Sequence, residues 1–159
     1  MEQTISDIKK KYEAVENKYS LPKFEKISED FDMEKLAEKE SLFLLKDVRK
    51  IIAEKIASYS QFFENLRNPM SLPMFVLAPL KNANEEDKKT IKEVYKELSK
   101  MQLHIIKLDL IYNEEKEAQF IKQTYDKWQT IKVRIHKLIE KFESEVKENS
   151  EQANRNYFG

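Results

Sequence analysis

The feature that most constrains this chain is its single glycine, Gly159, among 159 residues. Glycine supplies the positive φ angles and the close backbone approach on which phosphate-binding loops depend. Its absence from the rest of the sequence excludes the P-loop, the dinucleotide-binding fingerprint, the nucleophile elbow of hydrolases and the EF-hand calcium loop. Tight two-residue hairpins also lose their best residues, which argues against an all-β fold. The turns must therefore come from asparagine, aspartate and proline.

The charge balance and the missing cysteines narrow the function classes further. Lysine and arginine number 29, as do aspartate and glutamate, so the formal net charge is zero. A global electrostatic attraction to nucleic acid or to an anionic membrane is therefore not expected. Only four of the cations are arginine, the residue that phosphate and base recognition favours. Because cysteine is absent, disulfides, thiol nucleophiles and zinc ribbons are excluded. The longest uncharged stretch, residues 68–80, is too short and too broken by proline to span a bilayer, so we expect a cytoplasmic protein with no membrane span.

Apolar residues recur at helical spacing in nearly every segment, and no segment shows the sustained alternation of a β-strand. The spacing predicts a first helix over residues 4–19 and a short second helix after Pro22. A third helix is predicted over residues 33–66, with Asp32 as its cap. Its apolar face is wide, which predicts contact with more than one neighbouring helix.

Asparagine residues mark the starts of two further helices. Asn84 is followed by three acids and caps a helix whose apolar seam ends at Tyr112. Beyond Tyr112 the apolar residues change phase by about 200°, at 100° per residue. A hairpin with Asn113 as the cap of the last helix removes this conflict. The alternative is one long helix that buries opposite sides in its two halves, and we favour the hairpin.

These elements predict an all-α fold, an antiparallel helical bundle of four substantial helices plus one short helix. The bundle is expected to form a single domain over residues 1–148. A proline-punctuated apolar loop over residues 68–84 joins the third helix to the fourth. Residues 149–159 are polar until the last few positions, and we expect a disordered tail there.

No set of residues with catalytic or metal-binding spacing emerges from the sequence. Helical bundles hold paired metal ions through Glu-x-x-His motifs, but Met101 lies three residues before His104 and Val133 lies three before His136. Neither histidine has a second histidine within helical reach, so a zinc pair is missing too. We therefore expect a protein that is not an enzyme, with no cofactor, no metal and no small-molecule substrate.

A basic ridge on the last helix is one candidate binding surface. Four cations fall within a sector of about 80° at 100° per residue, and they are Lys127, Arg134, Lys137 and Lys141. A phosphate backbone could lie along this ridge, so an RNA- or ribosome-associated accessory factor is the alternative function that it indicates. The simpler interpretation is a solvated lysine face whose charge is balanced by acids elsewhere.

The uncharged stretch over residues 70–80 is a second candidate, in a chain where 36% of residues are charged. Its candidate partner-binding residues are Met70, Leu72, Met74, Phe75, Val76 and Leu77. The stretch either folds across the open end of the bundle or stays accessible to a partner, with shallow membrane contact as a third alternative. Methionine suits the first two alternatives because it adapts to irregular surfaces.

Three segments resemble parts of small helical proteins predicted from archaeal genomes, and they cover residues 17–25, 45–56 and 112–121. That group has no assigned activity, so the resemblance implies a cytoplasmic setting and transfers no site residues. The leading hypothesis from the sequence is a non-catalytic protein-interaction or assembly module. Its partner is another protein or a second copy of the chain, and RNA is the alternative partner.

Overall fold

A computed structural model describes residues 4–38 and 40–157 of the chain. Within these residues the regular structure is helical and no β-strand occurs, so the all-α prediction is confirmed. The elements follow in the order α1 Ile5–Tyr19, α2 Phe24–Asp30, a 3₁₀ turn Met33–Glu38, α3 Leu44–Arg67, a 3₁₀ turn Pro69–Ser71, α4 Met74–Lys81, α5 Glu85–Leu110 and α6 Glu114–Tyr157. The four substantial helices of the prediction are α1, α3, α5 and α6, and α2 is the short one.

The chain divides into two compact units. The first unit contains the chain up to Tyr59 together with Leu98–Trp128. The second unit contains Ser60–Glu97 together with the chain from Gln129 onward. Compactness alone does not separate domains, so the single domain over residues 1–148 stays a prediction.

The core of the first unit is rich in aromatic side chains. Tyr12 is fully buried, and its hydroxyl donates a hydrogen bond of 2.8 Å to the carbonyl oxygen of Pro22. The ring of Trp128 packs against Phe31 and Tyr59, with centroid distances of 6.0 and 5.3 Å. These contacts join α1, α3 and α6 to the chain around α2, so the short helix is held by aromatic packing.

The core of the second unit is aliphatic and aromatic, and helix α4 contributes to it. Its buried residues include Phe63, Leu66, Val76, Ile91, Val94, Leu138 and Phe142. In this unit Asp87 pairs with Lys141 and Glu93 pairs with Arg134. The later residue of α5, Glu93, pairs with the earlier residue of α6, Arg134, and the earlier residue of α5 pairs with the later one of α6. The two helices therefore run antiparallel here, in agreement with the predicted arrangement.

The hairpin predicted at Asn113 is confirmed, because α5 ends at Leu110 and α6 begins at Glu114. The side-chain oxygen of Asn113 accepts a hydrogen bond of 2.9 Å from the amide nitrogen of Lys116. An asparagine in this position satisfies a backbone donor that has no partner within the helix. A local capping interaction therefore starts the last helix, as the sequence indicates.

The third helix begins later than predicted. Instead of one helix over residues 33–66, the 3₁₀ turn Met33–Glu38 precedes α3. Between them, the hydroxyl of Ser41 accepts a hydrogen bond of 3.2 Å from the amide nitrogen of Phe43 and also bonds to the carboxylate of Asp47. Short polar side chains that bind nearby backbone groups compete with helix formation. This local bonding interrupts the predicted helix.

The loop predicted over residues 68–84 is partly helical. It contains the 3₁₀ turn Pro69–Ser71 and helix α4. Pro73 precedes α4 with a φ of −59°, and the angle fixed by its ring suits the start of a helix. Pro79 lies within α4 and has no backbone N–H, so this eight-residue helix lacks one internal hydrogen bond. A short helix that follows Pro73 and contains Pro79 therefore stands where a loop was predicted.

The chain expected to be a disordered tail, residues 149–159, is helical as far as Tyr157. The helix there is exposed over residues 147–156, so no packing holds it. Its residues include Glu151, Gln152 and Ala153, all good helix formers, and no proline or glycine stops the helix before Gly159. Extending an existing helix is much easier than starting one, which explains the continuation. Phe158 and Gly159 lie outside the described residues.

Ser20, at the end of α1, is the one position among the described residues with a positive φ angle, 53°. Its amide and that of Leu21 both donate to the carbonyl oxygen of Glu16, which closes the last turn of the helix. Helices usually end in this left-handed conformation at glycine. This chain places a serine there, and its Cβ makes the conformation less favourable.

We predict that Ser20→Gly raises the free energy of unfolding by about 0.5–1 kcal/mol. Relief of the left-handed strain contributes about 1–2 kcal/mol, and the greater freedom of glycine in the unfolded chain offsets part of it. Urea denaturation measures the change. Ser20→Ala is the control, because it removes the hydroxyl and retains the Cβ. Equal stability of the two variants would contradict this explanation.

Candidate functional site

Three side chains of the uncharged stretch form an exposed apolar surface in the second unit, which we call the α4 patch. They are Met70, Met74 and Phe75, with exposed fractions of 101%, 73% and 67%. Large apolar side chains that are exposed together are typical of interaction surfaces. The patch is therefore the first candidate site.

The other candidates of the same stretch anchor the patch. Val76 is buried, as is Pro79 on the same short helix, whereas Leu72 and Leu77 are half-buried. One side of α4 therefore packs into the core of the second unit while Met74 and Phe75 stay accessible. The stretch is therefore packed against the core on one side and accessible on the other, and the choice among the three alternatives for it stays a prediction.

Two of the four cations of the basic ridge are paired with acids of α5. In the second unit, Arg134 Nη2 lies 2.5 Å from Glu93 Oε2, and Lys141 forms an ion pair with Asp87. The depression beside these pairs is lined by side chains of both charges, Glu86 and Asp87 among them. A polyanion on this surface would therefore meet carboxylates as well as cations, which weakens its attraction.

The other two cations of the basic ridge, Lys127 and Lys137, are exposed. Lys137 belongs to the second unit, where it lines the same depression as Arg134. Lys127 belongs to the first unit and lines a different depression. The ridge remains a candidate by sequence, and the structure pairs Arg134 and Lys141 of the ridge with acids of α5.

A buried arginine that the sequence did not single out holds three helices of the first unit together. Arg49 of α3 is 1% exposed. Its Nε donates a hydrogen bond of 2.6 Å to Glu117 Oε2, and its Nη2 donates one of 2.8 Å to Asp109 Oδ1. Asp109 lies in the last turn of α5 and Glu117 in the first turn of α6. One guanidinium therefore joins both sides of the hairpin to α3.

The two carboxylates of this cluster have different surroundings. Glu117 is fully buried, whereas the Asp109 side chain is 56% exposed. Burial raises the pKa of Glu117, the hydrogen bond and charge of Arg49 oppose that rise, and the charge of Asp109 adds to it. Among the described residues, Glu117 Oε1 has no hydrogen-bond partner. The cluster is closed to solvent at Glu117, so we interpret it as a structural element that does not meet a substrate.

A second set of polar contacts fixes the start of α6 in the first unit. The carboxylate of Glu114 accepts hydrogen bonds of 2.7 Å from the Tyr19 hydroxyl and 3.0 Å from Lys18 Nζ. These bonds, that of Tyr19 first, lower the pKa of Glu114. Helix α1 is thus tied to the residue that follows the cap Asn113.

Within the described part of the chain, no group of three or more histidine or acidic side chains is placed to hold a metal ion. In that same part, none of the helices combines the length and the apolar character needed to cross a membrane.

Comparison with protein-family models, with curated proteins and with solved structures finds no match for this chain. The function must therefore be inferred from the surfaces of the molecule itself.

Two features of the first unit were missed at the sequence level. One is Arg49, although arginine is rare in this lysine-rich chain and is preferred over lysine for buried ion pairs. The other is a second apolar stripe on α5, which includes Leu103, Ile106 and Leu110, all exposed. The stripe has helical spacing of its own, so its signal was present beside the stronger seam that faces the core.

We predict that Arg49→Met lowers the free energy of unfolding by about 3–5 kcal/mol, because it leaves Glu117 buried without its counter-charge. The double variant Arg49→Met with Glu117→Met removes both buried charges and is expected to recover most of that loss. Urea denaturation of the single and double variants measures the coupling. Asp109→Asn is the control, and its half-exposed side chain leads us to expect a loss below about 1 kcal/mol. Additive effects of the two substitutions would contradict a coupled pair.

The same cluster predicts an unusual dependence of stability on pH. The pKa of Glu117 is higher in the folded state than in the unfolded state. The protonated carboxyl group therefore contributes to the free energy of unfolding in full below the unfolded-state pKa, and this contribution is lost as the pH rises through the folded-state pKa. Removing Arg49 raises that pKa further. The stability difference between wild type and Arg49→Met should therefore widen as pH rises from about 4.5 towards neutrality. Urea denaturation across this range measures it, and a difference that stays constant with pH would contradict the assignment.

Proposed function

We propose that this protein is a non-catalytic interaction module that binds a protein partner through the α4 patch. The observation that carries the proposal is the exposure of Met70, Met74 and Phe75, each more than two-thirds exposed on a segment anchored by the buried Val76. An apolar surface presented on a packed segment is ready for binding, because little ordering is needed when the partner arrives.

The chemistry of the α4 patch indicates what kind of contact it makes. The residues from Pro69 to Leu80 carry no charge, so the contact is apolar and its strength should change little with salt. Burying each exposed side chain contributes about 1.5–3 kcal/mol before the costs of association. Methionine adapts to irregular partner surfaces, which suits a patch that contains two of them.

The RNA-associated alternative receives less support from the structure. Arg134 and Lys141 are engaged by Glu93 and Asp87, so a phosphate backbone would have to compete with carboxylates for these cations. The chain also has no glycine-rich loop in which backbone amides could cradle a phosphate. RNA binding therefore remains the second outcome of the test below.

We predict that Met74→Ser with Phe75→Ser abolishes partner binding and leaves the fold intact, because both side chains are exposed. Immobilised wild type and variant are compared by cross-linking capture from native lysate at low and high salt. The same partner should be retained by wild type at both salt concentrations and lost by the variant. Circular dichroism should give equal helical content for the two proteins.

Two matched controls interpret the capture. Lys137→Glu changes the basic ridge and should leave the apolar contact unchanged, whereas Val76→Ser should destabilise the fold because that residue is buried. Sedimentation velocity of the purified protein tests whether the partner is a second copy. Recovery of the same proteins on wild type and on the patch variant would overturn the proposal. Retention only at low salt and loss in Lys137→Glu would favour RNA instead.

A further inference from the structure

A second apolar surface lies in the first unit, on the side of α5 that faces away from the core. Leu103, Ile106 and Leu110 are 65%, 58% and 77% exposed, and Ile111 beyond the end of the helix is 78% exposed. We call these four residues the α5 stripe. At about 100° per residue, its three helical members, Leu103, Ile106 and Leu110, lie on the side of α5 opposite the buried Met101. The stripe is therefore a continuous apolar surface along almost two turns of helix.

One edge of the α5 stripe is basic. A groove of about 320 Å³ runs between the end of α5 and the start of α6, and its lining residues are His104, Lys107, Leu108, Leu110, Ile111, Lys116 and Gln119. A neighbouring depression shares His104 and is lined also by Lys100 and Lys127. Among the described residues, neither depression is lined by a carboxylate. The charged side chains that line the first groove are therefore Lys107 and Lys116, in a chain with equal numbers of acids and bases.

His104 lines both depressions and lies near the charges of Lys107 and Lys127. Its ring packs edge-to-face on Phe120, with centroids 5.2 Å apart. Burial lowers the pKa of His104, and the charges of Lys107 and Lys127 lower it further, so the ring is neutral near pH 7. The groove therefore combines lysine charge with a neutral imidazole that can donate or accept a hydrogen bond.

We propose that the α5 stripe and its basic edge receive an acidic amphipathic helix of a partner protein. A helix with an apolar face would cover Leu103, Ile106 and Leu110, which lie at the spacing that one helix presents to another. Its acidic side would meet Lys107 and Lys116, both exposed. A polyanion alone would leave the apolar stripe uncovered, and an uncharged apolar helix would leave the lysines without counter-charges. This surface belongs to the first unit and the α4 patch to the second, so the two proposals are independent.

The test uses two synthetic peptides of about 18 residues, long enough to form a helix on binding. Both carry leucine at helical spacing, and one has glutamate beside the leucines where the other has lysine. Fluorescence anisotropy measures their affinity for the full-length protein. Wild type should bind the glutamate peptide about tenfold or more tightly than the lysine peptide, and added salt should reduce that preference. Amide shift changes should fall on Lys107, Leu110 and Ile111.

Three variants of this surface separate its charged and apolar contributions, and a fourth variant serves as a control. Lys107→Glu with Lys116→Glu should reverse the preference between the two peptides, and the milder Lys107→Gln with Lys116→Gln should abolish it. Leu110→Ser with Ile111→Ser should lose both peptides, because these exposed side chains supply the apolar contact. The α4-patch variant Met74→Ser with Phe75→Ser should bind as wild type does, which keeps this test separate from that of the proposed function. Circular dichroism checks that each variant is folded.

Several results would overturn the proposal. Equal affinity for the two peptides would show that charge plays no part, and failure to bind either would show that the stripe is not a docking surface. Binding of polyglutamate or of an RNA homopolymer as tightly as the glutamate peptide would identify a simple polyanion site. Self-association that Leu110→Ser with Ile111→Ser abolishes, without peptide binding, would identify a second copy as the occupant.

Discussion

The arrangement of the first unit depends on one buried guanidinium. Arg49 satisfies two carboxylates from opposite sides of the α5–α6 hairpin, at 2.6 and 2.8 Å. Arginine suits this position because its planar fork directs several donors at fixed angles, whereas lysine offers one strongly hydrated point charge. The ion pair with Glu117 contains no solvent-exposed carboxylate oxygen, so breaking it would leave an unpaired charge in the core.

That constraint explains why the hairpin can present apolar side chains to solvent. Asp109 and Glu117 bracket the turn, and the bonds from Arg49 hold both flanking helix ends against α3. The exposed Leu110 and Ile111 therefore lie on a braced turn, although their own contacts do little to stabilise it. Lys18 and Tyr19 of α1 also donate hydrogen bonds to Glu114, the first residue of α6, and so support the same turn. The docking surface that we propose here is therefore organised before a partner arrives.

Charge is distributed differently in the two units. In the second unit, the acids of α5 pair with cations of α6, and the exposed α4 patch is apolar and uncharged. In the first unit, Asp109 of α5 is directed to Arg49, and lysines line the opposite edge of the α5 stripe. The chain has a formal net charge of zero although this groove is locally basic. For this reason the composition alone gives no sign of electrostatic recognition.

Local chemistry made several elements predictable and left others open. Helix starts at Asn84 and Asn113 were predictable because a cap depends on neighbouring residues alone. The predicted start of α3 is wrong, since the hydrogen bonds of Ser41 compete with helix formation there. The helix α4 was missed because its prolines are typical of loops as well as of helix starts.

The sequence by itself determined that the chain is all-α, that glycine-rich motifs are missing from it, and that one stretch is uncharged. These properties follow from composition and from periodicity along the chain. Only the tertiary structure decided that Arg49 meets Asp109 and Glu117, and that Met74 is exposed while Val76 is buried. The reason is physical: burial and ion pairing depend on which helices meet, and residues 60 and 68 positions apart in sequence carry no local signal of that meeting.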